Sequence, residues 1–301
     1  MVDFLNRLFT SAAPLILASL GTLFTELAGI LGIFIEGFMS AGAFFAWIIA
    51  GWTGSALWGT FISACAAGLG GWGLARLVRK THANPFIAGL AVNIAAGGIT
   101  NTLSVLLFGT KGVLRNPDIA IPGHIALPLI KDIPGLGAVL SGRFFSVYLS
   151  WFVVIAAVFF LEQTPWGMRL KASGLSPEAA KERGIRPGLY WEGAWGAAAF
   201  LAAVAGAVLC FRVGAYTPGG IAGRGWISIA AVYLGFRTVG GIFIASLAFA
   251  LAEHLSQSLQ GLDGISSTAM LGLPYAATLV LYGLSQGIKN RRTRRPYPHG
   301  G

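Results

Sequence analysis

The chain has 301 residues, with 21 basic and 11 acidic side chains and therefore a net charge of +10. Charged residues make up only 11% of the chain, whereas soluble domains contain roughly 25%. With a hydrophobic fraction of 55% and a mean hydropathy of +0.72, the apolar excess is too large for one soluble core. Composition excludes a cytosolic enzyme and a disordered chain, and two cysteines exclude a disulfide scaffold. The sequence therefore predicts an all-α, polytopic membrane protein with one transmembrane domain.

The apolar segments predict the membrane spans. A spanning helix needs roughly 20 mainly apolar residues. Nine segments qualify as candidates: 10–29, 33–51, 54–75, 86–108, 144–161, 191–212, 226–236, 239–258 and 268–288. The seventh covers only about 16 Å of a hydrocarbon layer ~30 Å thick. It is therefore either half a span, or the segment before it enters the membrane.

Basic residues that flank the spans predict the orientation. They form three clusters: Arg76, Arg79 and Lys80; then Arg169, Lys171, Lys181, Arg183 and Arg186; and the basic tail 289–301. Clusters of this kind face the cytoplasm, which puts the N-terminus outside, the loop 109–143 outside and the C-terminus inside. Positive charge placed at membrane flanks indicates contact with lipid and argues against a nucleic-acid partner.

Two stretches of the chain are similar to each other. Residues 36–45 (EGFMSAGAFF) align with residues 224–233 (RGWISIAAVY), and Gly, Ser and Ala coincide at three positions. Chance similarity between Ala/Gly-rich spans is the alternative to a true repeat. We interpret the pair as an inverted repeat, which is typical of transporters. This interpretation divides the chain into repeat one at about 10–108, a linking span and loop at 144–190, repeat two at about 191–288, and the tail 289–301.

The segment 213–225 precedes the short seventh span and contains five glycines and Pro218. Irregular backbone cannot face lipid, because its amides would lack hydrogen-bond partners. The segment is either an ordinary external loop or a stretch that dips into the membrane ahead of a half-helix. The second interpretation places Tyr216, Thr217 and Arg224 at the external mouth of a path.

The loop 162–190 predicts a short helix of its own. Ser176 is a candidate N-cap, Pro177 is suited to the first helical position, and Gly184 is suited to the end. Glu178 lies in the first turn, and Ala179, Ala180, Lys181 and Arg183 complete two turns. Such a helix is either a solvated loop element or a docking element for a soluble partner.

Three motifs in this order carry a family resemblance. Residues 174–180 (GLSPEAA), followed by Gly184-Ile185, resemble the coupling loop of ABC-importer permeases of the branched-chain amino-acid, monosaccharide and nucleoside group. The runs 20–31 (LGTLFTELAGIL) and 223–232 (GRGWISIAAV) are similar to the nucleoside and simple-sugar branch. The resemblance covers roughly residues 10–290. Gly32 stands where that branch has Asn, so no role of an Asn is carried over there.

The resemblance implies a permease subunit in a bacterial inner (cytoplasmic) membrane. A second permease subunit, either a copy of this chain or a related longer permease, would complete the path. An ABC ATPase would bind from the cytoplasm, and an extracytoplasmic solute-binding protein would deliver the solute. ATP and Mg would bind to the ATPase. This chain would bind no cofactor, since it lacks the phosphate-loop motif. The implied coupling residues are Gly174, Ser176, Pro177, Glu178, Ala179, Ala180 and Gly184.

The expected solute is a nucleoside or a similar small polar molecule. A simple sugar or a flavin-like vitamin (riboflavin) is the alternative within the same class. A self-sufficient ion-coupled carrier or a channel is the alternative from another class, and it would not need a docking helix. A membrane enzyme would need a nucleophile with a base or a metal cluster in the spans. The sequence offers no catalytic set and no metal-ligand spacing among its four histidines.

Polar and aromatic residues within the spans supply candidates for the path. Ionisable groups there are costly and are functional candidates by default, and Glu36 at the head of a repeat is the best of them; a structural partner for a helix end or another side chain is the alternative. Asn93 and Asn101 could contact a polar solute or only hold helices together, and Phe44 and Trp47 could contact a flat ring or only pack. The predicted path residues are Glu36, Phe44, Trp47, Asn93, Asn101, Tyr216, Thr217 and Arg224.

Overall fold

The computed structural model describes residues 2–125 and 142–259, which form ten helices and one pair of two-residue strands. The helices are α1 (Val2–Leu27), α2 (Ile35–Thr53), α3 (Ala56–Thr81), α4 (Pro85–Phe108), α5 (Phe145–Gln163), α6 (Pro165–Leu175), α7 (Pro177–Glu182), α8 (Pro187–Val213), α9 (Arg224–Leu234) and α10 (Val239–Leu259). The strands β1 (His124–Ile125) and β2 (Arg143–Phe144) pair in antiparallel orientation.

Seven of these helices are long and apolar enough to cross a membrane. They are Phe4–Leu27, Ile35–Thr53, Ala56–Thr81, Pro85–Phe108, Phe145–Gln163, Pro187–Val213 and Val239–Ser256. They coincide with the first six predicted spans and the eighth, so these spans and the all-α polytopic class are confirmed. The short seventh segment is α9, an 11-residue helix. The ninth predicted span, 268–288, lies outside the described residues, so neither the count of nine nor the second copy of the repeat is tested.

The helices define two ends of the bundle. At one end, Nη2 of Arg79 in α3 lies 2.6 Å from Oε1 of Glu192 in α8. This ion pair places the basic cluster after α3 at the same end as the segment 163–187, as the charge pattern predicts; we call it the basic end. At the opposite end, Ser55 forms an isolated β-bridge with Ala120, and Leu114 forms one with Tyr216.

Helix α8 is the centre of the bundle and packs against α1, α2 and α3. Of its most apolar 18-residue window 89% is buried, against 11% for α4 and 22% for α5. Small residues permit this packing: a Cβ on Gly71 of α3 would lie 2.4 Å from that of Ala199, and one on Gly206 would lie 1.9 Å from the carbonyl oxygen of Met39. Backbones that approach this closely are typical of helix packing in membranes.

Candidate functional site

The N-termini of α2 and α9 meet inside the bundle. The carboxylate of Glu36, in the first turn of α2, accepts hydrogen bonds from the backbone N–H groups of Gly223 (2.9 Å) and Gly225 (2.7 Å) at the start of α9. The first N–H groups of a helix have no partner within the helix and carry partial positive charge, so a carboxylate stabilises them. Glu36 therefore caps a helix that lies 187 residues away in sequence.

Asn93 of α4 completes the junction from the other side. Its side-chain oxygen accepts the N–H of Gly37 (2.7 Å), and its side-chain nitrogen donates to the carbonyl of Ile33 (2.8 Å). Asn93 lies about eight residues, or ~12 Å, from the start of α4 at the basic end. The junction of the two helix starts therefore lies within the depth of the spans rather than at either end.

Glycine at position 225 permits the contact between α2 and α9. A Cβ on Gly225 would lie 2.5 Å from the backbone nitrogen of Glu36 and 2.6 Å from its Cα. Distances under 3.0 Å are not tolerated against backbone atoms, so any larger residue would push the helices apart. The close approach brings the two N–H groups within reach of the carboxylate.

Arg224 is the first residue of α9 and lies next to the junction. Its guanidinium forms an ion pair with Glu253 of α10 and donates to the carbonyls of Gly220 (3.3 Å) and Ile221 (3.2 Å). The next residue, Gly225, is in contact with Glu36 at the junction, and a position of Arg224 at the mouth of a path stays a prediction. Segment 214–223 thus runs from the backbone bridge of Tyr216 at the opposite end to the junction, and its entry into a membrane stays a prediction.

The remaining predicted path residues do not join this cluster. Phe44 is fully buried with its ring 5.1 Å from that of Tyr216, and the ring of Trp47 stacks on Phe211 at 6.0 Å. Both side chains are thus packed against neighbouring rings, and Trp47 also lines a cavity of about 480 Å³. Asn101 and Thr217 are exposed and lie away from the junction. Solute contact by these residues stays a prediction; the structure brings Glu36, Asn93 and Arg224 to the junction, and Phe44 and Tyr216 into a separate ring contact.

A second ionic cluster lies at the basic end and was not predicted as a site. Oε1 of Glu26 in α1 lies 2.8 Å from Nη2 of Arg237, and its Oε2 accepts a hydrogen bond from the Tyr233 hydroxyl (3.1 Å). Arg237 and its neighbour Phe236 adopt positive φ angles, 57° and 54°. Such angles are strained in residues with a Cβ, and the contacts to Glu26 hold the turn between α9 and α10 in this form. No sequence signal joins residues so far apart.

The local structure of α7 follows the sequence prediction. Oγ of Ser176 caps the helix by accepting the N–H of Ala179 (3.4 Å), and Pro177 is the first helical residue. Gly184 (φ +75°) ends it, with its N–H bonded to the carbonyl of Lys181 (2.9 Å). That bond belongs to a Schellman motif, whose 6→1 bond runs from Ile185 to Ala180 (3.0 Å).

Helix α7 presents two different faces. Pro177, Glu178 and Ala179 are exposed, whereas Ala180 is buried with 3% of its surface accessible. Before α7, Gly174 abuts the end of α1: a Cβ there would lie 2.1 Å from the carbonyl oxygen of Leu27. The segment that leads into α7 is therefore seated directly against α1, and the same end of α1 carries Glu26.

The described residues contain no group of three His, Cys, Asp or Glu side chains that could hold a metal ion. The polar groups at the junction bind backbone amides and one another. This arrangement can position two short helix starts within a bundle, and it offers no nucleophile with an adjacent base.

A polytopic helical bundle with a short helix starting at mid-depth and an exposed helix at its basic end is typical of membrane transport subunits. The chain belongs to the family described as branched-chain amino acid transport system / permease component, whose model matches residues 4–285. It is thus a multi-pass membrane permease.

Individual relatives agree with this assignment. The nucleoside ABC transporter permease protein NupC of Lactococcus lactis subsp. cremoris (strain MG1363) is 29% identical, over 92% of this chain and 90% of its own. The guanosine ABC transporter permease protein NupQ of Bacillus subtilis (strain 168) is 30% identical, over 89% and 87%. The putative glucose ABC transporter permease protein TsgC13 of Haloferax volcanii is 27% identical, over 98% and 88%. No solved structure matches the chain.

Proposed function

We propose that this chain is the permease subunit of an ATP-driven ABC importer and forms part of the path for a nucleoside or a similar small polar solute. Two of the relatives are named as nucleoside and guanosine permeases, and each aligns with about nine-tenths of this chain. The conclusion rests most directly on α7, which stands exposed at the basic end, is closed by local caps at both termini and abuts α1.

The exposed face of α7 supports docking of a cytoplasmic ATPase. A helix of six residues cannot be stable alone in water, so its own caps and the buried Ala180 hold it in place. This leaves Pro177, Glu178 and Ala179 free to contact a partner. A self-sufficient carrier or channel would have no need of such a preformed, exposed element.

The proposal includes the other components of the system. As a permease component, the chain works with an ATPase, which binds ATP and Mg, and with an extracytoplasmic solute-binding protein. A second permease, either a copy of this chain or a related one, completes the path, and this chain binds no cofactor. The basic end faces the cytoplasm, so the N-terminus is outside and the C-terminus inside the cytoplasmic membrane. Solute moves because it binds differently to outward-facing and inward-facing states, and ATP biases their equilibrium.

A simple sugar is the second candidate solute. The relative from Haloferax volcanii is named as a putative glucose permease and covers 98% of this chain. Uptake of a labelled nucleoside and of a labelled hexose, each measured with both compounds as unlabelled competitors, separates the two. Saturable uptake of the nucleoside that hexose does not inhibit supports the first candidate, and saturable uptake of the hexose that nucleoside does not inhibit supports the second.

The substitution Ala179→Glu tests the docking surface. Ala179 is exposed, so the variant is expected to insert and fold normally while a bulky charge blocks the ATPase. We expect solute uptake to fall at least roughly ten-fold and the ATPase to be lost from pull-downs in mild detergent, as for a hot-spot interface residue. Ala83→Glu is the matched control, because Ala83 is an exposed alanine at the same end, outside α7.

Two results would contradict the proposal. Normal uptake by Ala179→Glu, together with an unchanged pull-down, would remove α7 from the coupling mechanism. If the folded wild-type protein retained uptake but no ATPase co-purified with it, a self-sufficient carrier would replace the importer. Any second permease chain in the wild-type pull-down would distinguish a heterodimer from a homodimer.

A further inference from the structure

A cavity of about 730 Å³ opens at the basic end, between α1, α5, α6 and the start of α8. Large apolar and aromatic side chains form most of its wall, and they are Phe24, Phe160, Trp166, Leu170, Leu189 and Tyr190. The rings of Trp166 and Tyr190 lie 5.9 Å apart at its mouth, where α6 and α8 begin. Aromatic residues of this kind are enriched where a span meets the polar headgroups of a bilayer.

Three arginines also line this cavity: Arg169, Arg183 and Arg186. No Asp or Glu is among its lining residues, and none of the three guanidinium groups forms an ion pair within the part of the chain that the structure describes. All three side chains are exposed. The cavity therefore has an apolar wall and a rim that carries three positive charges, a combination suited to an amphipathic anion.

The cavity extends along the spans and not only across the surface. Ala197, in its wall, lies about ten residues, or ~15 Å, from the start of α8. Phe160 belongs to the apolar side of α5 that is exposed along the bundle, together with Phe152, Ile155 and Phe159. The opening therefore faces sideways, toward the hydrocarbon layer, as well as toward the basic end.

A second cavity lies further along α8, between α3, α5 and α8, and the α8 residues that line the two cavities recur every three or four positions, on one face of the helix. It has a volume of about 320 Å³ and is lined by Leu149 and Val153 of α5 and by Phe200 and Val204 of α8. Most of its lining is apolar, and Arg212 near the end of α8 is the one charged residue among the described residues that line it. The groove thus offers a basic site at one end and an apolar channel beyond it, which is the shape and polarity of a lipid with a charged headgroup.

We propose that this groove binds an anionic phospholipid, with the headgroup phosphate at Arg169, Arg183 and Arg186 and an acyl chain along α8. Basic pockets between spans on the cytoplasmic side are suited to anionic headgroups, and guanidinium groups match phosphate geometry. The tail 289–301 of this chain is not suited to occupy the basic site in place of a lipid, because it carries five Lys and Arg side chains and no Asp or Glu. The proposal does not rest on the identity of the transported solute.

The test measures lipid binding to the purified full-length protein by native mass spectrometry. The probes are phosphatidylglycerol, phosphatidylcholine with the same acyl chains, and glycerol 3-phosphate as the headgroup alone. We expect phosphatidylglycerol to bind roughly ten-fold more tightly than phosphatidylcholine. A basic side chain near an anionic lipid surface contributes about five-fold in affinity, so the triple variant R169Q/R183Q/R186Q is expected to lose that preference.

Two further variants separate the headgroup site from general charge and from the apolar groove. R76Q/K80Q/K181Q removes the same number of exposed charges from the basic end, outside the cavity, and is expected to retain the preference for phosphatidylglycerol. Ala197→Trp fills the groove without a change of charge and is expected to weaken both lipids. Elution of each variant as a monodisperse peak in gel filtration establishes that it is folded.

Three outcomes would overturn the proposal. Equal binding of the two phospholipids would show that the arginines do not select an anionic headgroup. Binding of glycerol 3-phosphate as tight as that of the phospholipid would assign the site to a soluble phosphate. An equal loss in R76Q/K80Q/K181Q and in the cavity variant would show only a response to net charge.

Discussion

The starts of α2 and α9 align in sequence, yet the N–H groups that have no partner within each helix find different hydrogen-bond acceptors. At α2, the N–H of Gly37 is bonded to the neutral side chain of Asn93 on a neighbouring helix. At α9, the N–H groups of Gly223 and Gly225 are bonded to the charged carboxylate of Glu36. The residue aligned with Glu36 is Arg224, which turns away to Glu253.

This difference shows that similar local sequences need not make similar local bonds. The two helix starts approach so closely that one carboxylate serves the opposite helix, and a second carboxylate in its place on α9 would repel it. Arginine at position 224 avoids that repulsion and carries its charge to α10. The carboxylate of Glu36 therefore stabilises α9, which at 11 residues is too short to be stable alone.

The largest expected effect is that of Gly225→Ala, which would force the two helix starts apart. The added Cβ would lie 2.5 Å from a backbone nitrogen that cannot move independently of α2. Overpacking of this kind costs about 3 kcal/mol, and a lower thermal midpoint and a lower yield of folded protein are the readouts. Gly240→Ala is the control, since no atom lies within 4 Å of a Cβ at that position. Equal stability of the two variants would mean that α2 and α9 are not in this contact.

Glu36→Gln tests the charged cap with little change in shape. The amide has one acceptor oxygen, so one of the two N–H groups of α9 loses its partner, and the attraction between the negative charge and the helix start is lost as well. We expect a loss of about 2 kcal/mol in the free energy of unfolding, measured by thermal melting in detergent. Glu162→Gln, which changes an exposed carboxylate on α5 away from the junction, is the control and is expected to cost less than about 0.5 kcal/mol. The reverse order would contradict the assigned roles.

The smallest effect is expected for the ion pair between Arg224 and Glu253. Its side chains keep 20% and 28% of their surface accessible, so water screens part of the attraction. Arg224→Gln and Glu253→Gln should each cost about 1 kcal/mol or less. In a double-mutant cycle, we expect the coupling between them to be smaller than the cost of Glu36→Gln. A larger coupling energy would mean that this ion pair, and not the carboxylate cap, is the main interaction that stabilises the position of α9.

Much of the fold could be predicted from the sequence, because the signals involved are local. A run of about 20 apolar residues predicts a span wherever it occurs. All of the first six predicted spans coincide with long apolar helices, namely α1 to α5 and α8. The caps of α7 are also local, since Ser176, Pro177 and Gly184 act on backbone groups only a few residues away. The short helix α9 could also be predicted, because its apolar segment is too short to cross the hydrocarbon layer.

The candidate site could be predicted only in part. Glu36 and Asn93 were identified because polar groups within apolar spans are costly, but their partners were not. The sequence alone did not show that Phe44 and Trp47 would be buried against Tyr216 and Phe211, because burial depends on which helices pack together.

Composition, hydropathy and local capping thus determined the class of protein, most of its spans and the exposed helix α7. The tertiary structure alone decided that Glu36 would cap α9, 187 residues further along the chain. It also paired Glu26 with Arg237 and left a basic groove beside α8. The physical reason is range: caps and spans act over a few residues, whereas these contacts form only where small residues allow distant helices to approach.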